Sequence, residues 1–534
     1  MDAITPLEDR RLALQATCDA GKTPKERNQL GQFATPTALA TDVLEHARAL
    51  LPPDALVRFL DPAIGTGSFY SALLRTFPKE RIAGAAGFEI DPHYGEPARE
   101  LWQGHPLKLT LGDFTTAEAP KPAGQFNLII CNPPYVRHHH MDSAEKARLQ
   151  AATTTACGVK IGGLSGLYCY FLALSHAWLA DDGIAGWLIP SEFMDVNYGV
   201  AVKRYLLNHV ELLQIQRFDP NDVQFDDALV SSAVVWFRKR RPAAGHQVEF
   251  TYGGTLTNPA RRLSVAASAL QTEAKWTRFP ESEVREAATG LRLADFFKIQ
   301  RGLATGDNAF FIKSRQQIAE HGLPPELFKP ILPGPRYVPT DEIEADQDGV
   351  PKLERQLFIL DCRLPEGEVK QRYPTLWAYL QTGKPSVAER YLCRSRSPWY
   401  AQEHRPPAPF VCTYMGRGDG KSGRPFRFIL NHSRATTANV YLMLYPKPPL
   451  AHALEANPKL KWNVWEFLNA IKPETLLGEG RVYGGGLYKM VPKELAIVGA
   501  EAIAAMLPKT DKRPEAQAEL FVAYWFGFET ANPL

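Results

Sequence analysis

Four short stretches hold side chains that could do chemistry. In "FLDPAIGTGSF" (59–69) an apolar run ends in Asp61, and Gly65 and Gly67 follow before a helix start. Glycines at such a turn let backbone approach a ligand, and a helix N-terminus favours negative charge such as a carboxylate. Glu89 ends a second run in "GFEIDP". A carboxylate about 20 residues after the glycine turn is placed to accept hydrogen bonds from both hydroxyls of a ribose. Asp113 ends a third run in "LGDF" and could accept from an exocyclic amine, with Phe114 against an adenine face. Each feature alone has a plainer reading. A lone GxG is also a tight strand–helix turn, Tyr70 stands where a dinucleotide fingerprint needs its third glycine, and a single acid is more often a cap, as Asp91 is read. Three acids at three successive strand ends are harder to dismiss.

The fourth stretch is "FNLIICNPPYVRHHH" (126–140), an apolar run stopped by Asn132, Pro133, Pro134 and Tyr135. It reads as a strand that merely turns, as a metal-binding tract at His138 to His140, or as a catalytic loop at the carboxyl end of a sheet.

The elements that must position these residues alternate between two periods. Buried strands are expected at 55–60, 82–90, 107–112, 126–131, 183–189, 210–218 and 231–237, and helices at 35–50, 67–77, 166–180 and 197–210. Such alternation predicts an α/β fold, a doubly wound, mainly parallel Rossmann-like sheet covered on both faces. That domain is expected over 1–240, with a connector over 241–290 carrying a strand at 248–253. A second, mixed α+β domain is expected over 291–534, where the pattern turns irregular and rich in aromatics, prolines and glycines.

Composition removes several classes. No apolar stretch reaches the roughly 18 residues of a membrane helix, and "MDAITPLEDRRLAL" lacks the apolar segment of a secretory signal. The seven cysteines are dispersed with no CxxC, which suits reduced thiols in a cytoplasm and no zinc module. Charge is uneven. Residues 1–240 carry 23 Lys+Arg against 27 Asp+Glu, whereas 241–534 carry 38 against 31. Within 385–440 nine basic residues face three acids, a local +6 that is either a polyanion footprint or a solvated loop face. "GDGKSG" (418–423) is not a phosphate loop, because Met415 stands where that motif needs glycine.

In order and spacing, "GQFATPTALA" (31–40), "DPAIGTGSF" (61–69), "FEID" (88–91), "GDF" (112–114), "NPPY" (132–135), "GIAGWLIPSEF" (183–193) and "QFDDALVSSAVVWF" (224–237) resemble the gamma-class, TaqI-type N6-adenine DNA methyltransferases of type II restriction–modification systems. The resemblance covers about 210 residues. It implies S-adenosylmethionine as methyl donor, S-adenosylhomocysteine as product and no metal. Asn132 and the Pro133 carbonyl would then accept from the two N–H bonds of adenine N6, with the prolines stiffening the backbone. The base would be flipped from the duplex and stacked between Tyr135 and Phe225. Thr35 and Asp61 would meet the methionine end of the donor. Ala63, Gly65, Gly67, Glu89, Ile90, Asp113, Phe114, Asn132 and Pro134 would complete its site. Thr35 also reads as the N-cap of the 35–50 helix, with Pro36 in its first turn. Since the implied chemistry needs no metal, Arg137 to His140 read as the start of a mobile loop beside the flipped base, with Arg137 on DNA.

The resemblance makes the second domain a target-recognition domain for double-stranded DNA. Arg301, Arg434, Asn439 and Tyr488 are its candidate contacts, since Arg can bind guanine or phosphate and Asn can read adenine. It implies a monomer in a bacterial cytoplasm, associated with the nucleoid through DNA, protecting host DNA from a separately encoded endonuclease. Alternatives are an orphan epigenetic methyltransferase, an enzyme acting on RNA or protein glutamine, and a non-catalytic DNA-binding subunit. The length disfavours the RNA and glutamine enzymes, and the intact motif at 132–135 disfavours the subunit.

Overall fold

The computed structural model describes residues 5–218, 232–280, 290–417, 424–483 and 487–507. Phe225 and "GDGKSG" lie outside the described residues. The chain divides into a unit spanning 1–288 with 482–486 and a second unit spanning 289–481 with 487–534.

The first unit is built on a nine-stranded sheet. Its strands are β1 (Val57–Asp61), β2 (Ile82–Glu89), β3 (Leu107–Leu111), β4 (Phe126–Cys131), β5 (Leu179–Pro190), β6 (Glu211–Arg217), β7 (Ser232–Arg238), β8 (Gln247–Gly254) and β9 (Pro259–Ala266). They are ordered β3-β2-β1-β4-β5-β7-β6-β8-β9. β3 to β5 pair in parallel, β7 is antiparallel to both its neighbours, and β9 closes the edge antiparallel to β8. The order reverses between β1 and β4, which makes the carboxyl ends of those two strands the switch point where open sheets bind ligands. Asp61 ends one and Asn132 follows the other.

Alternate residues of each strand serve opposite layers. Phe59, Leu128 and Ile130 pack with α3 (Thr37–Leu50) and α4 (Ser68–Thr76), which follow α1 (Thr5–Ala20) and α2 (Pro24–Leu30) in the chain. Leu60, Ile129 and Cys131 pack with the layer that holds Leu149 and Cys157 of a helix at Ser143–Cys157, the helix Leu167–Leu174 and the helix Val200–Asn208. Both faces are covered, as the near-continuous apolar strands required.

Three expectations are corrected. The stretch 241–280 is not a separate connector: β8 pairs with β6 and β9 with β8, so the catalytic sheet continues through it. The helix read over 166–180 stops at Leu174, and β5 begins at Leu179 with Asp182 at φ 58°. Its polar start, "LADD", hid the early strand. Pro36, not Thr35, takes the N-cap position of α3, with no side-chain cap.

The second unit has a five-stranded sheet formed by Phe297–Arg301, Tyr441–Pro446, Phe410–Thr413, Phe428–Asn431 and Glu342–Ile343. Helices Pro448–Ala456 and Leu460–Ala470 cover one face through Leu450, Leu454, Val464 and Leu468. A four-stranded sheet joins Ile312–Lys313, Leu357–Leu360, Phe328–Leu332 and Thr436–Thr437. Helices and strands mix here as the irregular pattern led one to expect. No helix among the described residues is long and apolar enough to cross a membrane.

Candidate active site

At the switch point lies a cavity with an empty volume of ≈ 310 Å³, open to solvent. It is lined by Gln15, Phe33, Thr35, Asp61, Thr66 and Asn132, with Ala63, Gly65 and Ser68 from the glycine turn and α4. Sequence expectation thus brought Thr35, Asp61, Ala63, Gly65 and Asn132 to one place. It missed Gln15, Phe33 and Thr66.

The Asn132 amide is held by its nitrogen. Nδ2 donates to the Phe33 carbonyl at 2.9 Å and to Thr35 Oγ1 at 3.1 Å. Its oxygen, Oδ1, is buried without a hydrogen-bond partner among the described residues. A buried acceptor left unmade costs about 1–3 kcal/mol, so such an oxygen at a cavity wall is a site awaiting a donor. The segment before α3 therefore does more than start a helix, because it sets which end of the amide faces the cavity.

The loop after Asn132 is clamped by the same segment. The Tyr135 N–H donates to the Gly31 carbonyl at 3.2 Å, and its hydroxyl donates to the Leu188 carbonyl at 3.1 Å. The rings of Phe33 and Tyr135 lie 5.7 Å apart at 43°. Pro133 is buried and Pro134 half-buried. Gly31 sits at φ 66°, and a Cβ there would come within 2.2 Å of the Tyr135 nitrogen. Gly31→Ala is accordingly expected to lower the melting temperature and to cut turnover at least about tenfold by displacing the loop. Thermal unfolding and steady-state rates on one preparation check this.

Asp61 is 1% exposed, and its carboxylate accepts from the Ala63 N–H at 3.1 Å. Burial, with a smaller contribution from neighbouring Glu89, pushes its pKa up to about 8. Glu89 accepts from the Gly65 N–H at 3.0 Å and from the Asp91 N–H at 2.8 Å, and burial raises its pKa as well. It thereby ties the end of β2 to the glycine turn. Ile90, beside it, is 67% exposed, an apolar side chain left at the surface next to that carboxylate. Gly67, at φ 94°, could not carry a Cβ without meeting the Trp102 indole at 2.5 Å.

Asp113 and Phe114 follow β3, and only Phe114 differs from expectation. Asp113 caps a turn, with Oδ1 accepting from the Thr115 N–H and Oδ2 from the Thr115 hydroxyl, both at 2.8 Å. The Phe114 ring is buried against Phe88, Phe171 and Trp178 and offers no open face to an adenine. The apolar neighbours that made it a candidate platform claim it for the core. Cys131 is fully buried, and burial with the nearby Asp61 charge pushes its thiol up, which suits a packing residue and not a nucleophile. His138 to His140 form a 3-10 turn ahead of the helix Ser143–Cys157, with Arg137 exposed at its start.

Two of the expected DNA contacts meet in the second unit. Arg301 Nε donates to the Asn439 carbonyl at 2.8 Å, and its guanidinium lies 4.0 Å from the centre of the Tyr414 ring. Lys489 approaches the same ring at 5.4 Å, and Arg405 Nε donates to the Arg301 carbonyl at 3.4 Å. Tyr488 pairs across from Gly416 in an antiparallel ladder. Arg434 is exposed, its stem over Gly349.

The chain is similar in sequence and fold to known proteins. The family profile described as "Eco57I restriction-modification methylase" matches residues 98–224, and that described as "Type II methyltransferase M.Eco57I, C-terminal domain" matches residues 281–517. The chain is 26% identical over 473 residues to the type II methyltransferase M.XamI of Xanthomonas campestris pv. amaranthicola, covering 87% of this chain and 84% of that one. It is 24% identical to the type II methyltransferase M.AccI of Acinetobacter calcoaceticus, covering 88% and 85%. Among solved structures, the type IIL restriction-modification enzyme MmeI in complex with DNA superimposes with a TM-score of 0.54 at 12% identity, over 97% of this chain and 74% of that one.

Proposed function

Because the chain is a DNA methyltransferase of the type II restriction–modification kind, we propose that its acceptor is the exocyclic N6 of an adenine flipped from double-stranded DNA. The carrying observation is the buried, partnerless Oδ1 of Asn132 at the cavity wall. N6 of adenine is a poor nucleophile because its lone pair is conjugated with the ring. An acceptor on each N–H favours a more tetrahedral nitrogen, and Asn132 Oδ1 with the Pro133 carbonyl are the two acceptors. Tyr135 stacks on the base, and its hydroxyl bond to Leu188 keeps the ring from turning away.

The residues around the cavity fit the donor. S-adenosylmethionine, when bound, supplies an electrophilic methyl on its sulfonium, leaving S-adenosylhomocysteine. Asp61 holds the donor's α-ammonium, Thr35 lies against the methionine end, Glu89 accepts from the ribose hydroxyls, and exposed Ile90 covers the purine. Arg301 and Asn439, bonded to each other, contribute to DNA binding in the second unit. The methylated sequence is protected from an endonuclease encoded separately, and the enzyme works as a monomer.

Purified protein with tritiated S-adenosylmethionine tests this. Label is expected in duplex DNA, recovered as N6-methyladenine after nuclease digestion, with a rate unchanged by EDTA. Label in RNA or protein but not in duplex DNA overturns the reading, and label on cytosine overturns its adenine part.

A further inference from the structure

We infer that the helix Thr5–Ala20 is a positioning element of the methyl-donor site: Arg11 and Glu8 act through Thr66 to fix the glycine turn, and Gln15 forms part of the cavity wall. The inference rests on the reading of that cavity as the donor site.

The glycine turn needs outside support. Gly65 and Gly67 adopt φ 54° and 94°, and glycine leaves a backbone loose. Thr66 sits between them, and its polar side chain and carbonyl are both held by residues outside the turn. Its hydroxyl donates to Gln15 Oε1 at 2.6 Å and accepts from Arg11 Nη1 at 3.2 Å, while its carbonyl accepts from Trp102 Nε1 at 2.9 Å.

The helix is built for that task. Glu8, Arg11 and Gln15 fall at helical spacing on one face, and that face is turned inward, with Arg11 1% and Glu8 6% exposed. An inward stripe is ordinarily apolar, so this one needs another reason. Arg11 grips Glu8 with two bonds, Nε to Oε2 and Nη2 to Oε1, both at 2.8 Å. Glu8 in turn accepts from the hydroxyls of Thr37 on α3 and Ser71 on α4, each at 2.5 Å. Gln15 is pinned from its other end, where Nε2 donates to Asp19 at 3.0 Å. One network therefore reaches α4 and the glycine turn, which line the cavity, and the start of α3, just after the segment that lines it through Phe33 and Thr35. A buried ion pair contributes little net stability, whereas a fully satisfied polar network fixes one arrangement.

The test is calorimetric binding of S-adenosylhomocysteine with steady-state kinetics beside it. Thr66→Val keeps the side-chain shape and removes the hydroxyl, and Gln15→Ala removes the wall amide. Both leave the Arg11–Glu8 pair intact, so neither strands a buried charge. Each is expected to weaken the Kd by about tenfold, the effect of one hydrogen bond lost from a buried network. For Thr66→Val the loss is expected in KM for the donor and not in kcat, and Thr66→Ser is expected to restore wild-type affinity. Where Arg11→Met folds, combining it with Thr66→Val is expected to add less than the sum of the two, because both cut one chain. Wild-type affinity in Thr66→Val and Gln15→Ala overturns the inference alone. Failure of the wild-type protein to bind S-adenosylhomocysteine overturns the donor-site reading and the inference with it.

Discussion

Asn132→Ala is expected to cut the single-turnover rate of methyl transfer by about a thousandfold, while S-adenosylhomocysteine still binds measurably. Removing one preorganised hydrogen-bonding group at a reacting centre costs on the order of 10²–10³ in rate. Asn132 stands at the upper end of that range because its amide is fixed in advance. Phe33 and Thr35 hold the nitrogen, so no reorganisation is needed when an amine arrives at Oδ1. Donor affinity draws on Asp61, Glu89 and the glycine turn, none of which loses a bond in the variant. Asn132→Asp supplies a second check. It restores an acceptor toward the cavity but turns the Nδ2 donor into an acceptor facing the Phe33 carbonyl. That repulsion swings the side chain away, and the rate is expected to stay within about tenfold of the alanine variant's. Full activity in Asn132→Ala, measured on duplex DNA, would remove the residue from the mechanism.

The difference between what the sequence disclosed and what it hid follows from the kind of interaction involved. Strand ends were legible because apolar runs stop abruptly at polar residues, and Asp61, Glu89 and Asn132 mark three of those stops. The doubly wound order was legible because strand and helix periods alternate. Contacts between distant segments were not. Asn132 is oriented by Phe33 and Thr35, almost a hundred residues earlier, and no periodicity links a carbonyl to an amide across that distance. The helix Thr5–Ala20 was overlooked because its buried stripe is polar. The spacing of Glu8, Arg11 and Gln15 was available as a signal, but hydropathy weighs such residues as surface. The helix Ser143–Cys157 was missed for a related reason: only Leu149, Thr153 and Cys157 are buried on it, four residues apart, amid alanines and threonines. Phe114 was misread in the opposite sense. An aromatic beside a strand-end acid suits a ligand, and only the positions of Phe88, Phe171 and Trp178 show that the core takes it.

Donor affinity is expected to rise with pH between about 6 and 8, approaching tenfold per unit, and to fall again at higher pH. The cause is Asp61. Its carboxyl is buried at the end of β1 with one main-chain donor, and its pKa stands at about 8 against an ordinary 3.8. Below pH 8 the free protein therefore holds the neutral acid. An arriving α-ammonium pairs with the carboxylate, so binding expels a proton and strengthens as protons become scarce. Above about pH 8 the donor's amine begins to lose its own proton and the pairing fades. The stability of the free protein moves the other way. The folded chain binds a proton at Asp61 that the unfolded chain has released above pH 4, so this contribution is full below pH 4 and is lost as pH rises toward 8. Asp61→Asn keeps the shape and removes the charge. Its Kd for S-adenosylhomocysteine is expected to be roughly 10–100-fold weaker than wild type at pH 8, the worth of a hydrogen bond to a charged group. At pH 6 the two proteins are expected to converge, because the wild type must first ionise Asp61 at its own cost. Calorimetry in buffers of different ionisation enthalpy reads both the affinity and the proton released. A constant ratio of the two Kd values from pH 6 to 8 would mean that Asp61 acts on the cavity only through its shape.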